Sequence, residues 1–144
     1  MILLSACLAG KNCKYNGGNN EISSLRKLYV EGKAVLVCPE QAGGLPTPRI
    51  PSERKGEKVV AQDGRDVTEE YKSGAEKSLK ICRDHGCTIA VLKAKSPSCG
   101  NHGIYDGTFT HTLIEGKGVF AELLESEGIE CINEIQYEKG EWKL

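Results

Sequence analysis

A chain of 144 residues with a formal net charge of -1 suits one compact domain and carries no global field to attract nucleic acid. Its 39% hydrophobic and 27% charged content marks a globular chain rather than a disordered one. No apolar run approaches the roughly 20 residues that span a bilayer, and the short apolar start Met1–Ala9 lacks a basic leader, so the expectation is a cytoplasmic protein with no membrane partner, Met1–Ala6 being a mature first strand. A local basic patch could still form from Arg49, Arg54, Lys55, Lys93 and Lys95, although a solvated surface is the plainer reading.

Strand and helix signals alternate along the chain. Ile2–Ala6 is a buried-type apolar run, and a Gly/Asn-rich loop follows over Gly10–Asn20. Ile22, Leu25, Leu28 and Tyr29 recur at helical spacing, with Gly32 as the stop. Ala34–Val37 is the second apolar run. The segment Pro39–Asp66 breaks the rhythm. It is rich in proline and glycine, and Val59–Ala61, Asp63-Gly64 and Arg65–Val67 predict a hairpin within an excursion over the end of the sheet, a lid. Tyr71, Ala75, Leu79 and Cys82 form the apolar stripe of a helix over Thr68–His85, with Glu69 and Glu70 in its first turn and Gly86 as its stop. Thr88–Leu92 reads as the third strand, Val119–Glu127 as a helix with Phe120, Leu123 and Leu124 inward, and Ile129–Ile132 as the fourth strand. The order predicts an α/β fold over residues 1–144: one Rossmann-like domain, with a mostly parallel sheet covered by helices on both faces.

Seven cysteines are an odd number, so a fully paired disulfide framework is excluded. No pair has the C-x-x-C spacing of a thioredoxin-type motif or a zinc ribbon. On the expected scaffold Cys7 ends the first strand, Cys38 ends the second, and Cys99 lies in the loop after the third. In a parallel sheet those positions share the carboxyl edge, where open α/β sheets bind ligands. Three thiols distant in sequence would meet there. A structural zinc wants four ligands and a four-iron cluster usually takes four cysteines. Three ligands would leave one iron open for a substrate sulfur, and simple packing competes with either metal. Cys82 fits packing on its helix stripe, as do Cys87 and Cys131 in or beside strands. Cys13 could be a fourth ligand or a reserve thiol. Glu40 stands two residues from Cys38, either as a base or as a loop carboxylate capping an N–H or pairing with Arg49. Among the histidines, His102 follows Cys99 closely and is a candidate for the pocket lining, His85 suits a helix end, and His111 carries no specific signal.

Four motifs together resemble the thiouracil desulfidase family, long a domain family of unknown function. They are Ser5–Gly10 with Tyr15–Gly18; Cys38-Pro39-Glu40 with Gly43–Arg49; Leu92-Lys93 with Ser96–Gly100; and Tyr105–Phe109 with Gly116–Val119. The resemblance covers nearly the whole chain in order. It implies a 4Fe-4S cluster held by Cys7, Cys38 and Cys99, with one iron free of protein ligands. It further implies that Glu40 and a serine of the Ser96–Ser98 stretch serve catalysis, and of these Ser96 is favoured. The family reaction is non-redox: thiouracil becomes uracil and sulfur leaves as sulfide. A small thiolated base or nucleotide is the implied partner, ahead of RNA, and the expected state is a monomer or weak homo-oligomer. Asn16 stands where the family pattern has aspartate, and Cys13 and Cys87 have no place in the motifs.

Three other readings compete. A metal or sulfur carrier would use the same three cysteines but would need no base beside them. A phosphate-binding α/β domain would show a Gly-rich loop opening a helix, which is missing. A thiol oxidoreductase would need the absent C-x-x-C.

Overall fold

The computed structural model describes residues 1–140. In chain order they form β1 (Ile2–Ser5), α1 (Ser23–Val30), β2 (Ala34–Val37), α2 (Pro39–Ala42), β3 (Ser52–Lys55), β4 (Lys58–Ala61), α3 (Thr68–Asp84), β5 (Ile89–Leu92), β6 (Gly103–Tyr105), β7 (Leu113–Glu115), α4 (Val119–Ser126), β8 (Glu130–Asn133) and α5 (Glu134–Glu138), with one 3-10 turn over Ala6–Ala9.

The four apolar runs make a parallel sheet in the order β2-β1-β5-β8. Its centre is buried on both sides, which is why β1 and β5 read as continuous apolar runs rather than alternating ones. On one face Leu3, Ala90 and Leu92 pack with Ala75 and Leu79 of α3 and Phe120 and Leu124 of α4. On the other, Leu4, Val91 and Ile132 pack with Leu8 and with Leu25 of α1. Each such leucine, fully removed from water, contributes about 1.5–3 kcal/mol. Strand order reverses direction at β1, so a crevice opens between the carboxyl ends of β1 and β5.

The expected elements are present with ends displaced by a residue or so. His85 lies just beyond α3, with Nδ1 2.9 Å from the Ile81 carbonyl, as suits a helix end. The hairpin is corrected. The main partner of β4 is β3, across the turn at Gly56-Glu57. The Asp63-Gly64 turn exists, but the returning strand is limited to the Val60–Asp66 bridge. The reason is room: Thr68 already begins α3, so Arg65–Val67 cannot extend. Elements that carried no strong periodic signal are α2, β3, the β6–β7 hairpin and α5. Among the described residues no helix is long and apolar enough to cross a membrane.

Candidate active site

Three strand ends bring three thiols to one crevice. Cys7 sits in the 3-10 turn after β1, Cys38 directly follows β2 as the N-cap of α2, and Cys99 lies in the loop after β5. All three line one cleft of about 590 Å³, together with Cys13, Glu40, Arg49 and Ser96. Cys7, Cys13 and Cys99 are buried and Cys38 is half-buried. The sequence-predicted site residues are thus brought together.

Local backbone chemistry fixes each thiol. The Asn20 amide donates to Cys7 Sγ at 3.7 Å, and the Asn20 N–H donates to the Cys7 carbonyl. Arg49 Nη2 donates to the Cys13 carbonyl at 3.0 Å, pinning the glycine-rich loop across the cleft to the excursion. Ser96 Oγ accepts from the N–H groups of Ser98 and Cys99 at 3.1 and 3.0 Å, a side-chain turn that sets the Cys99 backbone. Hydrogen bonding from the Cys13 thiol holds both Cys7 and Cys38 below the usual thiol range, against the effect of their burial. The same contacts, to Cys38 first and Cys7 second, push Cys13 up. Burial pushes Cys99 up, and the nearby Glu40 carboxylate adds to this.

Glu40 occupies the first turn of α2, behind a proline at its first position, where a fixed φ suits a helix start. It is buried, and its contacts are specific. Oε1 accepts from Ser98 Oγ at 2.7 Å, while Oε2 lies 4.0 Å from Arg49 Nη2 and 3.8 Å from Cys38 Sγ. Ser98 Oγ in turn lies 3.0 Å from Ser96 Oγ and 3.4 Å from Cys99 Sγ. Ser96 reaches the cleft surface, whereas Ser98 is fully buried behind it. A hydrogen-bonded chain therefore runs Ser96–Ser98–Glu40.

Three of the five basic candidates have acidic partners. Arg49 faces Glu40, Arg54 pairs with Glu122 at 2.5 Å, and Lys93 pairs with Glu134 at 2.8 Å. Lys93 and Lys95 nevertheless line the cleft. His102 is exposed and not part of the cleft wall, and His111 lines it instead. Cys82, Cys87 and Cys131 stand with the core beneath α3 and α4. Cys82 donates to the Cys87 carbonyl, and burial pushes Cys82 up to about 11 and Cys131 up to about 12, so these are packing thiols. Sequence reasoning missed Tyr71, Glu53, Phe109 and His111 as cleft residues. Tyr71 had read only as helix stripe. Burial, with the Glu40 carboxylate second, pushes its hydroxyl up.

The donor set suits a soft, multi-iron centre. Four thiols from three connections, Cys7 and Cys13 after β1, Cys38 after β2 and Cys99 after β5, line one cleft, and the Glu40 carboxylate beside them is held by a serine. Thiolates spread around a cavity are what a cluster of several irons requires.

Comparison with known proteins agrees. The family model described as 2-thiouracil desulfurase matches residues 2–136. A Bacillus subtilis (strain 168) protein named YbbK, uncharacterised, is 44% identical, with 93% of this chain and 95% of that protein covered. A solved structure titled 4Fe-4S-dependent thiouracil desulfidase TudS superposes with a TM-score of 0.91 at 45% identity, covering 96% of this chain and 93% of that one.

Proposed function

This chain belongs to the 2-thiouracil desulfurase family, and on that premise we propose that it hydrolyses the C=S bond of a thiolated pyrimidine, base or nucleotide, releasing the oxo ring and sulfide. In this reading Cys7, Cys38 and Cys99 hold a 4Fe-4S cluster, and Glu40 and Ser96 serve the reaction. The observation that carries it is the meeting of these three thiols with a buried, serine-held carboxylate in one cleft. When bound, such a cluster supplies an iron without a protein ligand, a thiophilic Lewis acid for the thiocarbonyl sulfur.

The chain's own groups account for the rest. Glu40 takes a proton from a water that attacks the ring carbon, acting as general base. Arg49 and Ser98 hold the two carboxylate oxygens in place, so the base is aimed before substrate arrives. Ser96, at the cleft surface, orients the ring or passes a proton along the Ser96–Ser98–Glu40 chain. Water adds its oxygen to carbon, sulfur departs as hydrosulfide with the bonding pair, and no electron is lost or gained overall. A carrier without turnover needs the thiols but not a fixed base, and the hydrogen bonding around Glu40 supports the enzyme.

The test is anaerobic purification, reconstitution with iron and sulfide, and measurement of sulfide released from 2-thiouracil and from 4-thiouridine monophosphate. Wild type binds iron and releases sulfide, and Glu40→Ala keeps the iron but loses turnover. A protein that binds no iron, or binds it and releases no sulfide from either compound, refutes the reading.

A further inference from the structure

Glu53 differs from the acidic residues that follow it in the excursion. Glu57, Asp63 and Asp66 are exposed, whereas Glu53 is buried at 9% exposure. Among the described residues it forms no ion pair. Instead its Oε1 accepts two backbone N–H groups, from Gly107 at 3.0 Å and Phe109 at 3.1 Å, both in the loop between β6 and β7. A buried carboxylate joined to two amides of another element is a clamp rather than a surface charge.

What it clamps is a strained loop. Phe109 and His111 have φ of 58° and 59°, the left-handed region that side chains with a Cβ disfavour. Asp106 supports the same loop by accepting from the Thr108 N–H and hydroxyl. The outcome is an aromatic rim: Tyr105, Phe109 and His111 all line the thiol cleft, with the Tyr105 and His111 rings edge to face at 5.8 Å. Glu53 and the rim residues play no part in the chemistry assigned to Glu40 and Ser96.

We propose that Glu53 is a positioning residue that holds Phe109 at the rim of the cleft as the surface on which the substrate's flat ring stacks, so that the site selects planar, conjugated thiolated rings over puckered ones. This rests on the thiopyrimidine reading above. An aromatic face is sequence-tolerant toward any planar base but offers poor contact to a ring with tetrahedral carbons.

The test compares 2-thiouracil with its puckered 5,6-dihydro analogue on reconstituted wild type, Glu53→Ala, Glu53→Gln and Phe109→Ala. Binding is read by calorimetry and saturation-transfer NMR, turnover by sulfide release, and the Gly107 and Phe109 amides by hydrogen exchange. Glu53→Ala and Phe109→Ala weaken 2-thiouracil binding and raise its KM by about tenfold, as loss of one stacked ring does, and erase the preference over the dihydro compound. Turnover at saturation changes far less, because the base is untouched. Glu53→Gln retains the wild-type preference, since its amide oxygen still accepts both N–H groups. Unchanged binding and preference in Glu53→Ala and Phe109→Ala overturn the proposal, and so does a wild type that binds neither compound. A wild type that binds 2-thiouracil without releasing sulfide refutes the desulfidase reading alone, and the binding comparison still decides this one. Should Glu53→Ala fail to fold, Phe109→Ala decides.

Discussion

Replacing Ser98 by alanine removes one oxygen from the centre of the site, and its consequences are separable. Ser98 is fully buried and donates to Glu40 Oε1 at 2.7 Å. A hydrogen bond to a charged group contributes about 1.5–3 kcal/mol, and its loss leaves Glu40 with the longer contacts to Arg49 at 4.0 Å and Cys38 Sγ at 3.8 Å, both at Oε2. With an unfolding entropy of roughly 2.1 cal/mol/K per residue, a loss of about 2 kcal/mol lowers Tm by about 7 °C for a chain of this length. The Cys99 backbone is held by Ser96 rather than by Ser98, so the iron content of reconstituted protein stays at the wild-type level. Turnover does not: a general base contributes about 10²–10⁴-fold, and a base free to turn away loses part of that. Thermal melting, iron analysis and sulfide release from 2-thiouracil read the three effects independently. Wild-type turnover in a protein with a lowered Tm would show that Glu40 needs no partner. Loss of iron would show that Ser98 acts through Cys99, at 3.4 Å, and not through Glu40.

Three further outcomes follow from the same geometry. Alanine at Cys7, Cys38 or Cys99 abolishes the iron signal after reconstitution, whereas Cys13→Ala retains iron with an altered visible spectrum, because Cys13 lines the same cleft beside Cys7 and Cys38; iron analysis with absorption spectroscopy checks both. Gly74→Ala places a Cβ 1.8 Å from the Pro39 carbonyl oxygen, so α2 must move; overpacking of this kind costs about 1–3 kcal/mol, seen by melting, and moves Glu40, seen as lost sulfide release. The Thr68 hydroxyl and N–H hold the Asp66 carboxyl below the usual carboxylate range, so its stabilisation is present at neutral pH and lost as pH falls through the lowered folded value; Asp66→Asn lowers Tm at pH 7, and the gap from wild type closes at acid pH.

Residues that repeat at short range were legible in the sequence, and residues that act through long-range contacts were not. The four apolar runs announced a parallel sheet because two-sided burial leaves no alternation. From that alone Cys7, Cys38 and Cys99 could be sent to one edge. The serine that touches Glu40 could not be chosen. Ser96 and Ser98 are equivalent in spacing, and only the fold shows that Ser96 faces the cleft while Ser98 faces the carboxylate. The β3 strand, Ser-Glu-Arg-Lys, looks solvated, and its buried Glu53 becomes intelligible only when the Gly107 and Phe109 amides arrive from more than fifty residues away. The α5 turn did carry a signal that was passed over. Asn133 and Gln136 form a capping box, with Gln136 also accepting from Asn101, but the element is too short for periodicity to reveal.

Two motif glycines, Gly43 and Gly118, serve close backbone contact rather than chemistry, and this explains how loops can hold a demanding site. A Cβ on Gly43 would lie 1.9 Å from the Glu70 carbonyl oxygen, so α2, with Cys38 at its cap and Glu40 in its first turn, seats its backbone directly on α3. A Cβ on Gly118 would lie 2.5 Å from the Ser98 carbonyl, and the first N–H groups of α4 donate to carbonyls of Pro97 and Ser98. The loop bearing Cys99 thereby caps α4, satisfying N–H groups that a helix start otherwise leaves open. The two helices share one core against the same sheet face. The 2.7 Å bond from Ser98 to Glu40 therefore joins two loops that are each fixed by backbone to a rigid element. A base and thiols held this way meet the sub-ångström placement that catalysis requires, and loosening either glycine contact would release the base before it released the fold.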